Sequence, residues 1–414
     1  MSPLSIEVHA TDEAISCVDS STVALSSIQF WRLDRELVGL LLGAACRWRD
    51  ISLTLHIMSN DTPLLQLLNI PPQSLQMLSA LNLEAMFIEE PEQTNHNNGA
   101  GVNFSGRPVP AIGILQTPQL RRLSIPALGW CDISSPAVKW SALTHLTFLG
   151  YCDHRQMFKM TAKQAIQLLA RCSSLVSCKL ELDGGSKGNV DASNQRQTLV
   201  VSQPIVLAVL ARLKLIAVAI PVGFASAIIA PSLRSLILRL RRGARRDPRG
   251  QGNAGIVEMM CCFGSQLLAA QIPYASMTTS SLMSCLETLE RVRELTLVGQ
   301  AGDLRTGEST TQVLTSQIMK RLTPNTRLTT TSLELKDARH CLCPKLESLH
   351  CMLLRNEFQE EDLIAFVAAR RVRRPGVARI DHVRVEFVGA TSTDVRAALS
   401  RRMVHMEGLM LDVT

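Results

Sequence analysis

The sequence predicts an α/β fold. Short parallel strands alternate with helices and stack as an irregular solenoid, with the sheet on the concave face and the helices outside. Three observations predict it. One pattern, Pro-x-Leu-x-x-Leu-x-apolar, returns as PLLQLLNI (63–70), PQLRRLSI (118–125), PSLRSLIL (231–238) and PKLESLHC (344–351). Its last two apolar positions are two residues apart, so they share one face of a strand. Of 414 residues, 46% are apolar but only 4% aromatic, which leaves the packing to aliphatic side chains, as stacked repeats require. Units of this kind cannot bury their apolar edge alone and must stack.

Taken in order, the first 22 residues are expected to be poorly ordered, and 23–414 to form the array. Relaxing the pattern to apolar-x-x-apolar-x-apolar gives further strands. In the first half these are Leu25-Ile28-Phe30, Trp48-Ile51-Leu53, Leu65-Leu68-Ile70, Leu78-Leu81-Leu83, Leu120-Leu123-Ile125, Leu143-Leu146-Phe148 and Leu175-Cys178-Leu180. In the second they are Leu213-Ile216-Val218, Leu233-Leu236-Leu238, Val292-Leu295-Leu297, Leu346-Leu349-Cys351, Ile380-Val383-Val385 and Met406-Leu409-Leu411. Between them lie helices. Thr161-Ala-Lys-Gln164 is a capping box ahead of AIQLLARC. Glu360–Val372 and Asp394–Met403 have helical apolar spacing. The intervals are uneven, where regular repeats hold to about 20–29 residues. The long gaps coincide with polar, Gly-rich or charged inserts near 89–107, 183–197, 241–255 and 299–311, which read as loops on the rim.

The formal charge is +7, and Arg239–Arg249, with six Arg and one Asp, supplies most of it. The rest of the chain is near balance and not broadly basic. Twelve cysteines without an apolar leading segment fit a reducing cytoplasmic or nuclear setting with free thiols. Leu215–Ala230 is uncharged, but it is shorter than the roughly 20 apolar residues of a spanning helix and contains Pro221 and Gly223. No membrane association is expected.

The octapeptides, with Cys172-x-x-Leu175 and Cys343-x-x-Leu346 leading into strands, resemble leucine-rich repeats. ACRWRDISL (45–53), QLLARCSSLVSCKL (167–180) and LCPKLESLHC (342–351) are similar to the irregular repeats of F-box/leucine-rich-repeat proteins of mushroom-forming fungi. The resemblance implies a substrate receptor of a ubiquitin ligase, with the F-box on the ligase scaffold and the repeats on the target. Two departures stand out. Cys46-Arg47-Trp48-Arg49-Asp50 resembles the final helix of the box, but the Leu-Pro opening and the first helices are missing from 1–45, and the same residues fit a strand. The Asn or Cys that follows each repeat strand is replaced by Leu128, Tyr151, Asp183, Gln300 and Leu354. The turns must therefore satisfy their backbone by other means.

No catalytic, cofactor or metal residues are assigned. His340, Cys341, Cys343, His350 and Cys351 have zinc-ligand chemistry, but the C-x-C spacing is unlike a finger and two of the thiols occupy repeat positions. Cys261-Cys262 reads as core. There is no G-x-S-x-G, H-E-x-x-H or phosphate-loop motif, and the Gly-rich stretch 184–188 opens no apolar helix. The run RLRRGARRDPRG (239–250) reads as a solvated loop. A nuclear import signal and a nucleic-acid contact are the alternatives, the latter disfavoured by the absence of aromatics for base stacking. Arg370, Arg371, Arg373 and Arg374 close a helix, where cations suit the dipole.

Residues between the core positions of each strand are expected on the concave face. They include Arg122, Ser124, His145, Thr147, Lys179, Arg239, Glu294, Thr296, His350 and Arg384. This mixed, polar set suits a protein partner of unknown identity. The expected role is a non-catalytic interaction module, receptor-like but without a recognisable F-box. The alternatives are a complete F-box adaptor with a divergent box in 1–55, which would add the ligase scaffold as partner, or nucleic-acid binding through 239–250.

Overall fold

The computed structural model describes residues 2–11, 31–32, 35–57, 63–87, 112–127, 138–152, 157–158, 160–182, 199, 203–241, 254–299, 313–324, 341–354, 358–387, 394–402, 404 and 406–413. The fold is mixed α/β and dominated by parallel sheet. It divides into two compact units, Met1–Met160 with Gln167–Glu181, and Thr161–Ile166 with Leu182–Thr414.

The first unit holds β1 (Leu4–Thr11), β2 (Trp31–Arg32), α1 (Arg35–Gly43), β3 (Trp48–Ile57), α2 (Leu64–Leu68), β4 (Ala80–Phe87), β5 (Arg122–Ala127), β6 (His145–Cys152), β7 (Met157–Phe158) and β8 (Ser177–Leu182). Its sheet runs β2-β1-β3-β4-β5-β6-β8, all parallel, with β7 antiparallel on β6. One row of inward side chains is Ile51, Leu81, Leu123, Leu146 and Cys178, in register and all buried. A second is Leu53 and Leu83 on β3 and β4, with Ile125, Phe148 and Leu180 on the later strands. The spaced triplets thus mark the core face, and Leu78, Leu120, Leu143 and Leu175 are buried at the turns ahead of their strands.

Helix α3 (Ala162–Arg171) lies between β7 and β8 in sequence. Its capping box forms as expected: the Gln164 amide N–H donates to Thr161 Oγ1, and the Thr161 N–H donates to Gln164 Oε1.

The second unit holds β9 (Ile205–Val206), β10 (Arg212–Ala217), β11 (Ile228–Ile229), β12 (Ser235–Leu240), α4 (Ala254–Phe263), β13 (Ala269–Pro273), α5 (Thr279–Glu287), β14 (Glu294–Val298), α6 (Ser316–Leu322), β15 (Ser348–Leu354), α7 (Glu360–Arg371), β16 (His382–Phe387), α8 (Val395–Arg401) and β17 (Met410–Val413). Its main sheet runs β10-β12-β13-β14-β15-β16-β17, again parallel, while β9 and β11 pair separately. The inward row Leu213, Leu236, Ala270, Leu295, Leu349 and Val383 is in register and buried.

The strand starts share carbonyls. The oxygen of Ser79 accepts from the N–H groups of Arg121 and Arg122, and Arg121 O accepts from those of Thr144 and His145. The same pairing recurs at Ala211 O, Arg234 O, Leu268 O, Arg293 O and Glu347 O. One carbonyl taking two successive amides satisfies the backbone where these strands begin.

Several expectations are corrected. PLLQLLNI is a helix, α2, and not a strand: Leu64, Leu67 and Leu68 stand at i, i+3 and i+4 and are buried together. Leu213-Ile216-Val218 is out of phase, because Leu210, Leu213 and Leu215 are the buried set while Ile216 and Val218 are half-buried on the opposite face. In β17, Leu411 joins the Val383 row, but Leu409 precedes the strand. Leu4–Thr11, within the stretch expected to be poorly ordered, is a full strand paired along β3. Strand β13 escaped notice because small Ala270 fills its central core position. Leu25-Ile28-Phe30, and nearly all of the four inserts, lie outside the described residues.

Candidate binding face

Alternation along each strand gives the sheet a second face, and all ten predicted residues stand on it. None is buried. In the first unit Arg122 pairs in register with His145, while Ser124, Thr147 and Lys179 form the next row across β5, β6 and β8. In the second unit Thr296, His350 and Arg384 form one row across β14, β15 and β16. Glu294 lies one row earlier on β14, and Arg239 one row later, on β12. The residues therefore fall into two sets, one per unit.

The structure extends both sets. Arg122 donates to Asp50 Oδ1 at 2.7 Å. The two flank Ala80 in one register row, so the small side chain lets the arginine reach over β4. In the following row Asn82 Nδ2 donates to Ser52 Oγ at 2.9 Å. In the second unit Arg384 bonds Glu386 at 2.8 Å and stands 3.5 Å from Asp412, and His350 Nε2 is 3.6 Å from Glu386. Asp50, Ser52, Asn82, Glu386 and Asp412 were not singled out from the sequence. For β3 and β4 the signal was available, since the positions between the triplet residues are the outward ones. These pairs are partly exposed and add little stability, about 0–1 kcal/mol each. They hold the charged groups in fixed positions.

The Cys/His cluster resolves differently from its zinc-ligand chemistry. His340 lies outside the described residues. Cys341, Cys343 and Cys351 are buried, and among the described residues no group of three or more His, Cys, Asp or Glu is placed to hold a metal. What gathers around the two leading thiols is Arg370, which is 1% exposed. Its guanidinium donates to the carbonyls of Leu322 (2.9 Å), Leu342 (2.9 Å), Cys343 (3.1 Å) and Leu346 (3.4 Å) and to Cys341 Sγ (3.3 Å), and it stands 5.4 Å from the Phe366 ring centre. Cys343 has φ +49°, a left-handed turn within the segment that supplies these acceptors. Arg371 is buried too and donates to Ile380 O and to Asp381 Oδ1. The reading of these residues as helix-end cations is therefore extended for Arg370 and Arg371, which replace solvent for a set of carbonyls. Burial pushes the Cys343 thiol up to about 12 against the lowering effect of Arg370, and burial likewise raises Cys285 to about 12. Thiols so raised are protonated at neutral pH and are poor nucleophiles and metal ligands.

Cys46-Arg47 lies in a 3-10 turn, and Trp48-Arg49-Asp50 begins β3, so the residues that resemble the last F-box helix form a strand. An open cleft of about 360 Å³ is lined by Ala225, Ile228, Ile229, Ala230, Pro231 and Phe263 with Ser226, Cys262 and Gln266. It contains no charged group. The reading of Cys261-Cys262 as core is corrected: both are exposed, near the end of α4, although partial burial, the largest cause, still raises Cys262 above its ordinary value. No described helix is long and apolar enough to cross a membrane. The comparisons add no relative: neither a family model nor a curated protein matches the chain.

Proposed function

We propose that the chain is a non-catalytic interaction protein, a leucine-rich-repeat-like solenoid whose outward sheet face docks a protein target. On this reading it is receptor-like in the manner of ubiquitin-ligase substrate receptors, without a recognisable F-box. One observation carries the proposal: successive parallel strands present polar side chains in register on one face while leucines fill the other. Such a face offers many shallow polar contacts and no enclosed site. The mixed signs, with aspartate beside arginine, suit a protein surface better than a phosphate chain. No observation favours a divergent F-box, since β1 and β3 occupy much of the segment that would have to form it.

Comparative co-purification tests this. Proteins retained by the full chain are compared with those retained by R122E/K179E and by R384E, all on the face and away from the core. Each reversal is expected to deplete a shared set of partners, with a loss of about 1–2 kcal/mol where the position is a hot spot, at unchanged melting temperature. An unchanged partner set in both variants would sink the proposal.

A further inference from the structure

Strands β9 and β11 stand apart from the main sheet of the second unit. They pair with each other in parallel, Ile205 with Ile228 and Val206 with Ile229. On that edge the backbone of β11 is used: Ala227 O accepts from the Ile205 N–H, and Ile229 O from the Leu207 N–H. Successive residues of a strand turn their N–H and C=O groups to opposite edges, so those of Ile228 and Ala230 lie on the other edge. Some of these are occupied. The Ile228 N–H donates to Ala225 O, and Ala230 O accepts from the Leu233 N–H and from Gln266 Nε2 at 2.8 Å. Ile228 O and the Ala230 N–H have no protein partner among the described residues. Both residues line the open cleft between β11 and the end of α4. At its rim Val206 and Ile229, side by side in register, are 60% and 46% exposed.

We propose that this cleft takes an extended, uncharged segment of a partner protein, added to β11 as a parallel strand. In a parallel ladder one residue donates to the carbonyl before its register partner and accepts from the amide after it. A residue opposite Ile229 thus meets Ile228 O and the Ala230 N–H together. An antiparallel segment would need both groups of a single residue, and at Ile228 and at Ala230 one of the two is already taken. The side chains before and after the docked residue point to the same side as Ile228 and Ala230, into walls that include Ala225, Pro231 and Phe263. Charge complementarity sets the composition. Nothing charged lines the cleft, so a carboxylate or ammonium seated there would lose its water without gaining a partner. A hydrocarbon chain would meet the same walls but would leave Ile228 O and the Ala230 N–H covered and unpaired. The inference does not depend on the sheet-face reading, because these residues lie outside the main sheet.

The test uses the full chain and a fluorescent, end-blocked peptide, read by anisotropy. Its central threonine is flanked by two valines, with serines beyond them. A second peptide is N-methylated at the threonine, which removes the N–H meant for Ile228 O, and a third has aspartate in place of both valines. The first is expected to bind saturably below about 1 mM, and the other two to bind about tenfold or more weakly. Cys262→Phe, at an exposed position on the cleft wall, fills the cleft and should weaken the first peptide by a similar factor. R384E, on the sheet face, should bind it as the unaltered chain does. Four results each overturn the proposal: no saturable binding by about 1 mM, equal affinity for the N-methylated peptide, unchanged affinity in folded Cys262→Phe, or loss of binding in R384E. The N-methyl comparison alters no protein residue, so it carries the test if Cys262→Phe fails to fold.

Discussion

Arg370 is a full positive charge placed where water does not reach, and no carboxylate is among its hydrogen-bond acceptors. Four carbonyls, a thiol and an aromatic face do the solvating. It sits in the last turn of α7, where the helix dipole also favours a cation. The carbonyl oxygens belong to the end of α6 and to the turn at 341–346, so one side chain ties three segments together. Arg370→Met keeps much of the volume but leaves those oxygens with fewer donors. The expected cost is about 3–5 kcal/mol, because a buried polar set that loses its partner bears its desolvation unrelieved. Chemical denaturation of the two proteins checks this, and a difference below about 1 kcal/mol would contradict the role assigned to the guanidinium. The sequence did not disclose that role. Arg370 and Arg371 look like ordinary helix-end cations, and the acceptors that bury them are contributed by residues far along the chain. The thiols at 343 and 351 were legible as buried, because the repeat spacing places small apolar groups there.

At the level of elements, spacing was informative where one period fitted and failed where two did. Thr161 and Gln164 could form only a cap, and they do. PLLQLLNI fits a strand at Leu68 and Ile70 and a helix at Leu64, Leu67 and Leu68, and without β-branched residues between them the helix prevails. Helix α4 shows a contact that no periodicity reveals. A Cβ on Gly255 would overlap the Ile220 carbonyl oxygen and come within 2.8 Å of its carbon. The glycine therefore lets the first turn of α4 lie against the backbone after β10. In an exposed helix Gly→Ala gains about 0.5–1 kcal/mol. Here the sign should reverse, and Gly255→Ala should lower stability by about 1–3 kcal/mol as the helix is pushed off its neighbour. A thermal melt reads it directly, and a raised melting temperature would show that the close approach is not needed.

For the whole molecule, the question is how far a local defect travels. From β12 to β16 each strand pairs with a strand on either side, and its central inward residue meets a register partner on both. The triplets made that stacking legible, since Leu123, Leu146, Leu236, Leu295 and Leu349 all land in the rows they were expected to fill. The division into two units was not legible, because the same pattern runs through both and spacing reports neighbours, not boundaries. Cooperation in such an array is expected to pass from rung to rung, with stability close to a sum of local terms. Leu295 is central in the second unit, 1% exposed, between Ala270 and Leu349. Leu295→Ala removes about 2–5 kcal/mol of packing. Hydrogen exchange should then quicken in β13, β14 and β15, which touch the cavity, while β10 and β17, farther from Leu295 in the strand order, keep their protection. If exchange instead rises equally in all seven strands, the unit unfolds as one block. The outward face would then have to be understood as a single rigid surface and not as separately stable rungs, and a partner could not loosen one part of it without loosening the rest.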